Sequence, residues 1–235
     1  MDYQEDVETL SKRTVDGALG VLKVCIASKT VKRVVFTASC TDLMYSGKEA
    51  EELDESYWSD VDLIYKLKPN MWSFCVSQVL AEKAVLEFGE QHELDVVPMI
   101  LPFVIGPFIC SKLPDPLKTW LLGVFEHGNY RRYPVVHVDD VVRAHIFMLE
   151  HQNPKGRYIC SLSGTLSIKE IAEIIHAIYR EYPIPTIDSI KNSKKEDIPS
   201  LSSKKLIDAG FEFKYVRPKE IFEEAIQCCK EKGYL

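Results

Sequence analysis

The stretch Val31-Lys-Arg-Val-Val-Phe-Thr37 decides the fold. After its two basic residues it is short, apolar and β-branched, the pattern of a strand buried inside a parallel sheet. Ahead of it, Glu8 to Ala27 carries Leu10, Val15, Ala18, Leu19, Leu22 and Ile26 at near-helical spacing. Behind it lies a polar stretch, 40–70, and then a helical run from Trp72 to Phe88 that Gly89 is placed to end. Val96 to Ile105 reads as a second strand, interrupted by prolines and closed by Gly106-Pro107. Val135 to Val138 is a third, and Asp139 or Asp140 is expected to cap the helix that follows to Leu149. Helix–strand–helix–strand order predicts an α/β fold with parallel pairing through helical crossovers.

Past Pro154 the pattern changes. Ser167-Ile-Lys-Glu170 forms a capping box that opens a helix to about Tyr182. Residues 183–199 read as a loop with solvated lysines at 191, 194 and 195. Ser203 is placed to cap a short helix ended by Gly210, and Pro218 fits the first turn of a last helix running to about Gly233. The expected division is 1–107 with 135–150 as one unit, and 108–134 with 151–235 as a smaller one.

Composition narrows the function. Of 235 residues, 46% are hydrophobic and 27% charged, a balance that supports a sizeable core. A net charge of −6 argues against a nucleic-acid or anionic-membrane surface. No apolar run reaches the length of a membrane span, and the acidic start does not read as a signal peptide. The seven cysteines show no metal-ligand spacing with histidine, so no metal site is expected. They read as reduced thiols of a cytoplasmic protein.

Five stretches carry a resemblance: KRTVDGALGVLK (12–23), DESYWSDVDL (54–63), LAEKAVLEFGEQ (80–91), VHVDDVVRAHI (136–146) and CCKEKGYL (228–235). Through them the chain resembles the extended short-chain dehydrogenase/reductases, in the group of dihydroflavonol reductase and cinnamoyl-CoA reductase. The resemblance implies a Rossmann-type doubly wound parallel sheet with a smaller C-terminal substrate domain. It also implies NADP(H) as cofactor and reduction of a flavonoid-like ketone by a Ser–Tyr–Lys set. A phenol titrating near pH 10 needs a neighbouring cation to serve as a proton donor at neutral pH.

Residue by residue, the set is incomplete. Ser39 matches the family serine. The tyrosine and lysine stand four residues apart on one helix face, and the matching stretch Trp72-Ser-Phe-Cys-Val-Ser-Gln78 puts Phe74 and Gln78 there. Phenylalanine has no proton to give, and glutamine hydrogen-bonds a ribose hydroxyl without supplying charge. Tyr215 and Lys219 share the spacing, but Pro218 separates a strand end from a helix start. Lys83 falls about 140° round the helix from Gln78.

By the same resemblance Ser39, Gln78, Leu101, Pro102 and Val104 are what is left of the cofactor cleft, on its nicotinamide side. A strand followed by a glycine-rich turn holds the pyrophosphate in the family. Here Gly17 and Gly20 stand alone inside a helix, where close helix packing is the expected role. Relative to the family, roughly the first quarter of the fold is missing. His137, Asp139 and Asp140 read as structural. Trp120, Phe125 and Tyr130 either line a substrate pocket or pack the smaller unit.

Two functions follow from these residues. One is an NADP(H)-dependent reductase, weak or inactive. The other is a non-catalytic protein that binds an aromatic ligand or a protein. An open sheet edge along Val31–Thr37 implies self-association or a partner.

Overall fold

The computed structural model describes residues 6–69, 71–121, 132–181 and 199–235. Helix α1 (Val7–Ser28) starts at Asp6, whose carboxylate accepts from the Thr9 N–H, and stops at Lys29 in the left-handed conformation. Strand β1 (Arg33–Ser39) follows, then a one-turn helix α2 (Thr41–Met44), β2 (Glu52–Leu53) and α3 (Val61–Leu67). Helix α4 (Trp72–Gln91) returns the chain to β3 (Asp95–Leu101). Beyond lie β4 (Phe103–Ile105), α5 (Asp115–Leu121), β5 (Arg132–Tyr133), β6 (Val135–His137) and α6 (Val138–Glu150). The chain continues through β7 (Tyr158–Ile159), β8 (Leu166–Ser167), α7 (Ile168–Ile178), β9 (Ser200–Leu201), α8 (Lys204–Asp208) and α9 (Pro218–Glu231).

The main sheet is parallel in the order β1-β3-β7, with Ser39 opposite Leu101 and Met99 opposite Tyr158. Parallel pairing of the first two expected strands is therefore observed, as the helical crossover α4 requires. Helices α1 and α4 cover one face of the sheet and α6 the other. This is a doubly wound arrangement.

Several local expectations change. The strand expected over Val96–Ile105 divides at Pro102, which has no N–H to continue the ladder. Past it, β4 pairs with β6 instead of continuing with β1. Helix α4 runs through Gly89 to Gln91. A Cβ on Gly89 would sit 2.8 Å from Val96 Cγ2, so this glycine lets the helix approach the next strand. Helix α6 is capped two to three residues earlier than expected, at His137. His137 Nδ1 accepts the Asp139 N–H, and both aspartates lie inside the first turn. Helix α7 has the expected capping box but ends at Ile178. Tyr215 belongs to no strand. The strands at 158–159 and 200–201 pair with β3 and β2, so they cross the expected division at residue 151. The expected lysine loop, Phe125 and Tyr130 lie outside the described residues, as does the Trp120 side chain.

Candidate active site

Ser39 closes β1, and the chain turns at once into α2. That corner needs its backbone donors satisfied, and its own side chains do so. The Ser39 N–H bonds to Asp42 Oδ2 at 3.2 Å, and Cys40 N–H bonds back to Leu101 at 2.9 Å. Ser39 Oγ accepts from the Thr41 hydroxyl (2.9 Å) and the Thr41 N–H (3.3 Å), which leaves its own O–H to donate outward. Leu101 is opposite Ser39 in register, with Pro102 next in the chain, both buried. Val104 is one strand segment further on, paired with Val136.

Helix α4, which carries the expected pair, packs against β1 and α2. Phe74, Gln78 and Glu82 follow at intervals of four, one above the other on one face. Phe74 and Gln78 are half-buried. Gln78 makes no side-chain hydrogen bond to another described residue, so its amide is available to a bound molecule.

Glu82 is fully buried and ties this face to Ser39. Arg157 grips it with both ends, Nε to Oε1 at 2.7 Å and Nη2 to Oε2 at 2.9 Å. The remaining Arg157 nitrogen donates to the carbonyls of Tyr57 (2.6 Å) and Glu55 (3.1 Å), and its plane stacks over Trp58 at 3.6 Å. Such bidentate geometry compensates a buried pair for lost hydration. Asp42, also without exposed surface, hydrogen-bonds to Glu82. Burial first, then the Glu82 charge, pushes the Asp42 carboxyl well above its ordinary value of 3.8. Arg157 is spent on Glu82, so the neutral form of Asp42 is favoured.

Asp42, Glu82 and Arg157 were not among the sequence candidates. Glu82 had a signal, a carboxylate at the same four-residue interval as Phe74 and Gln78. Arg157 and Asp42 had none, because their partners lie 75 and 40 residues away in the chain. Nucleophilic thiol chemistry is absent from this corner: burial pushes Cys40 and Cys75 up to about 12.

The alternative tyrosine–lysine pair does not form. The Tyr215 hydroxyl donates to Glu224 at 2.6 Å, while Lys219 pairs with Glu223. Lys83 lies over the Trp58 ring. Among the described residues no group of side chains is arranged to hold a metal ion. No helix among them is long and apolar enough to cross a membrane.

Comparison with known proteins gives the chain a family. Residues 2–160 fit the NAD dependent epimerase/dehydratase family. The chain belongs to that family. It is 53% identical to vestitone reductase of Medicago sativa over 98% of its own length and 71% of that protein. It is 39% identical to dihydroflavonol 4-reductase of Callistephus chinensis, covering all of this chain and 65% of that one. The chain thus spans about two thirds of the length of these relatives. The crystal structure of alfalfa vestitone reductase superposes with a TM-score of 0.87 at 52% identity, over 97% of this chain and 74% of that one. A UDP-glucose 4-epimerase shares the fold alone, at 18% identity and a TM-score of 0.68.

The family implies a nucleotide cofactor, and the residues accommodate only part of one. Ser39 and Gln78 offer polar groups at one end. No strand-to-helix turn of glycines exists among the described residues to receive a pyrophosphate. Gly17 and Gly20 lie within α1, and a Cβ on either would meet nothing within 4 Å, so they also lack the close packing expected of them. A whole dinucleotide does not fit this set.

Proposed function

We propose that this chain is a vestitone reductase-like protein that binds a flavonoid-like carbonyl compound and does not reduce it at an ordinary enzymatic rate. The observation that carries this is the α4 face beside Ser39. Its two half-buried positions, Phe74 and Gln78, are those to which the resemblance assigns the proton donor and the cation of carbonyl reduction. Ser39 Oγ accepts from Thr41, and its own O–H is the group that would donate to a carbonyl oxygen. Phe74 offers the aromatic ligand a ring and no proton. Gln78 offers an amide and no charge. Neither replaces an acid whose assistance is typically worth about 10²–10⁴-fold.

NADP(H) is the finer cofactor assignment, and binding to this chain should be weak for want of pyrophosphate contacts. The free thiols fit a reducing, cytoplasmic setting.

The test uses purified chain, NADPH and an isoflavanone ketone, with Phe74→Tyr/Gln78→Lys beside it. Ligand quenching of tryptophan fluorescence without NADPH oxidation is expected, and the double variant should gain no turnover. Turnover of about 1–10 s⁻¹ by the unmodified chain, or an NADPH dissociation constant at or below about 1 μM, overturns the reading.

A further inference from the structure

We infer that two copies of this chain pair about a two-fold axis, each seating Ile109 in the groove between α7 and the start of α9 of the other. This inference is independent of whether the chain binds a ligand or turns one over.

The groove is an open cleft of about 490 Å³. Its apolar lining is Leu166 at the end of β8, Ile174 and Ala177 on α7, and Pro218 in the first turn of α9. The α7 residues recur at the spacing that sets side chains on one helix face. Glu170 and Glu173 edge the groove on the α7 side, and Arg217 and Lys219 edge it at the start of α9. Val216, beside that second rim, is 58% exposed. An exposed apolar patch with a charged rim is the form of an interaction site.

The part that fits it lies at the other end of α9. Ile109 stands in the loop between β4 and α5, with its whole surface exposed. A lone exposed isoleucine on a slack loop is ordinary. This one is held out by anchored neighbours. The Phe108 N–H donates to Cys228 Sγ at 3.4 Å, the Phe108 ring meets Tyr234 at 5.9 Å, and the Tyr234 hydroxyl donates to the Ser111 carbonyl at 2.8 Å. Tyr234 adds its own exposed ring to the same end.

The groove of the same chain is out of reach. Pro218 and Cys228 stand ten residues apart on α9, about 15 Å at 1.5 Å per residue. A second copy supplies the missing part. A two-fold axis across α9 sets this helix antiparallel to its copy, with the Ile109 end of one against the groove end of the other. In a two-fold contact the first insertion entails the second, so both grooves are filled at once. Antiparallel helices also bring unlike dipole ends together.

The charges agree with this pairing. Lys112 follows Ile109 in the loop, and Lys232 lies over the Phe108 ring at 5.5 Å. These cations meet Glu170 and Glu173 of the copy. Glu231, at the same end of α9, meets Arg217 and Lys219. None of these residues belongs to the β1-β3-β7 sheet, so the contact does not depend on its open edge.

Sedimentation velocity of the purified chain from about 5 to 200 μM should show monomer and dimer in exchange, with a dissociation constant on the order of 10–100 μM. Ile109→Asp, at a fully exposed loop position, and Ala177→Glu, at an exposed position of α7, should each raise that constant at least about tenfold with an unchanged circular dichroism spectrum. Glu173→Lys should weaken the dimer, and adding Lys112→Glu should restore it to within about threefold. A chain that stays monomeric at about 200 μM overturns the inference. So does a dimer that either Ile109→Asp or Ala177→Glu leaves unchanged, which places the contact elsewhere, or a double variant no tighter than Glu173→Lys.

Discussion

Asp42 and Asp140 are both carboxyls with no exposed surface, yet they are held in opposite ways. Asp140 sits in the first turn of α6 and is surrounded by donors. It accepts the backbone N–H groups of Lys214 (2.8 Å) and Tyr215 (3.0 Å) and a guanidinium nitrogen of Arg143 (2.9 Å). Asp42 accepts one backbone N–H, lies 3.5 Å from the Thr41 hydroxyl and otherwise meets another carboxyl. The first arrangement pins the segment before α9 to the sheet and has no spare capacity. The second sets two buried carboxyls against each other beside Ser39. The corner far from the candidate site is fixed framework, and the corner beside Ser39 keeps two buried carboxyls that share one cation.

The largest expected effect attacks the corner at the site. Arg157→Met leaves Glu82 and Asp42 buried without their cation. Breaking one partner of such a pair costs about 3–5 kcal/mol. Urea denaturation should show that loss. A change under about 1 kcal/mol would mean that water reaches the pair and solvates Glu82, and the contrast with Asp140 would fall.

Next in size is the far corner. Asp140→Ala strands the two backbone N–H groups of Lys214 and Tyr215 in the interior. At about 1–3 kcal/mol for each unsatisfied group, a loss of roughly 2–4 kcal/mol is expected after partial relaxation. Asp140→Asn keeps an acceptor oxygen and should lose less. Equal losses from Ala and Asn would show that the charge, through Arg143, matters more than the acceptor count.

How much of this was legible in the sequence depends on how far each signal reaches. The first strand, its parallel pairing with the next and the capping box at Ser167 rest on local pattern, and the structure shows all three; the roles given to Ser39, Phe74 and Gln78 rest on the resemblance alone. The His137 cap was misread because imidazole caps helices less often than aspartate, and two aspartates stood beside it. Gly89 was misread because an end glycine and a close-approach glycine look alike until the next strand is placed. Pro102 was noticed as an interruption, but its consequence was not. It transfers the strand from β1's sheet to a pairing with β6, a decision made by chain far away. The Asp42–Glu82–Arg157 cluster joins three segments of the chain and had no local signature beyond the helical spacing of Glu82.

The smallest effect is the most discriminating, because the two corners respond to pH with opposite sign. His137 lies beneath α6, stacked on Tyr215 at 3.6 Å and buried. Its Nδ1 accepts the helix-capping N–H, and its Nε2 is 3.4 Å from Glu224 without a hydrogen bond. Burial lowers its pKa below 6.5, against the opposing pull of Glu224 and the two aspartates. The folded chain thus binds fewer protons here than the unfolded chain. The resulting stability is fully present above pH 6.5 and is lost as pH falls toward the folded value. Asp42 is raised, so the folded chain binds more protons than the unfolded one. Its contribution is fully present below pH 3.8 and is lost as pH rises through its folded value. Each group changes stability by no more than about 1.4 kcal/mol per pH unit. Asp42→Asn mimics the protonated carboxyl without titrating. It should remove the downward slope above pH 3.8 and leave the His137 slope below 6.5 in place, read as urea midpoints from pH 4 to pH 8. An unchanged profile in D42N would mean that Asp42 holds no extra proton in the fold, and the two buried aspartates would then be alike after all.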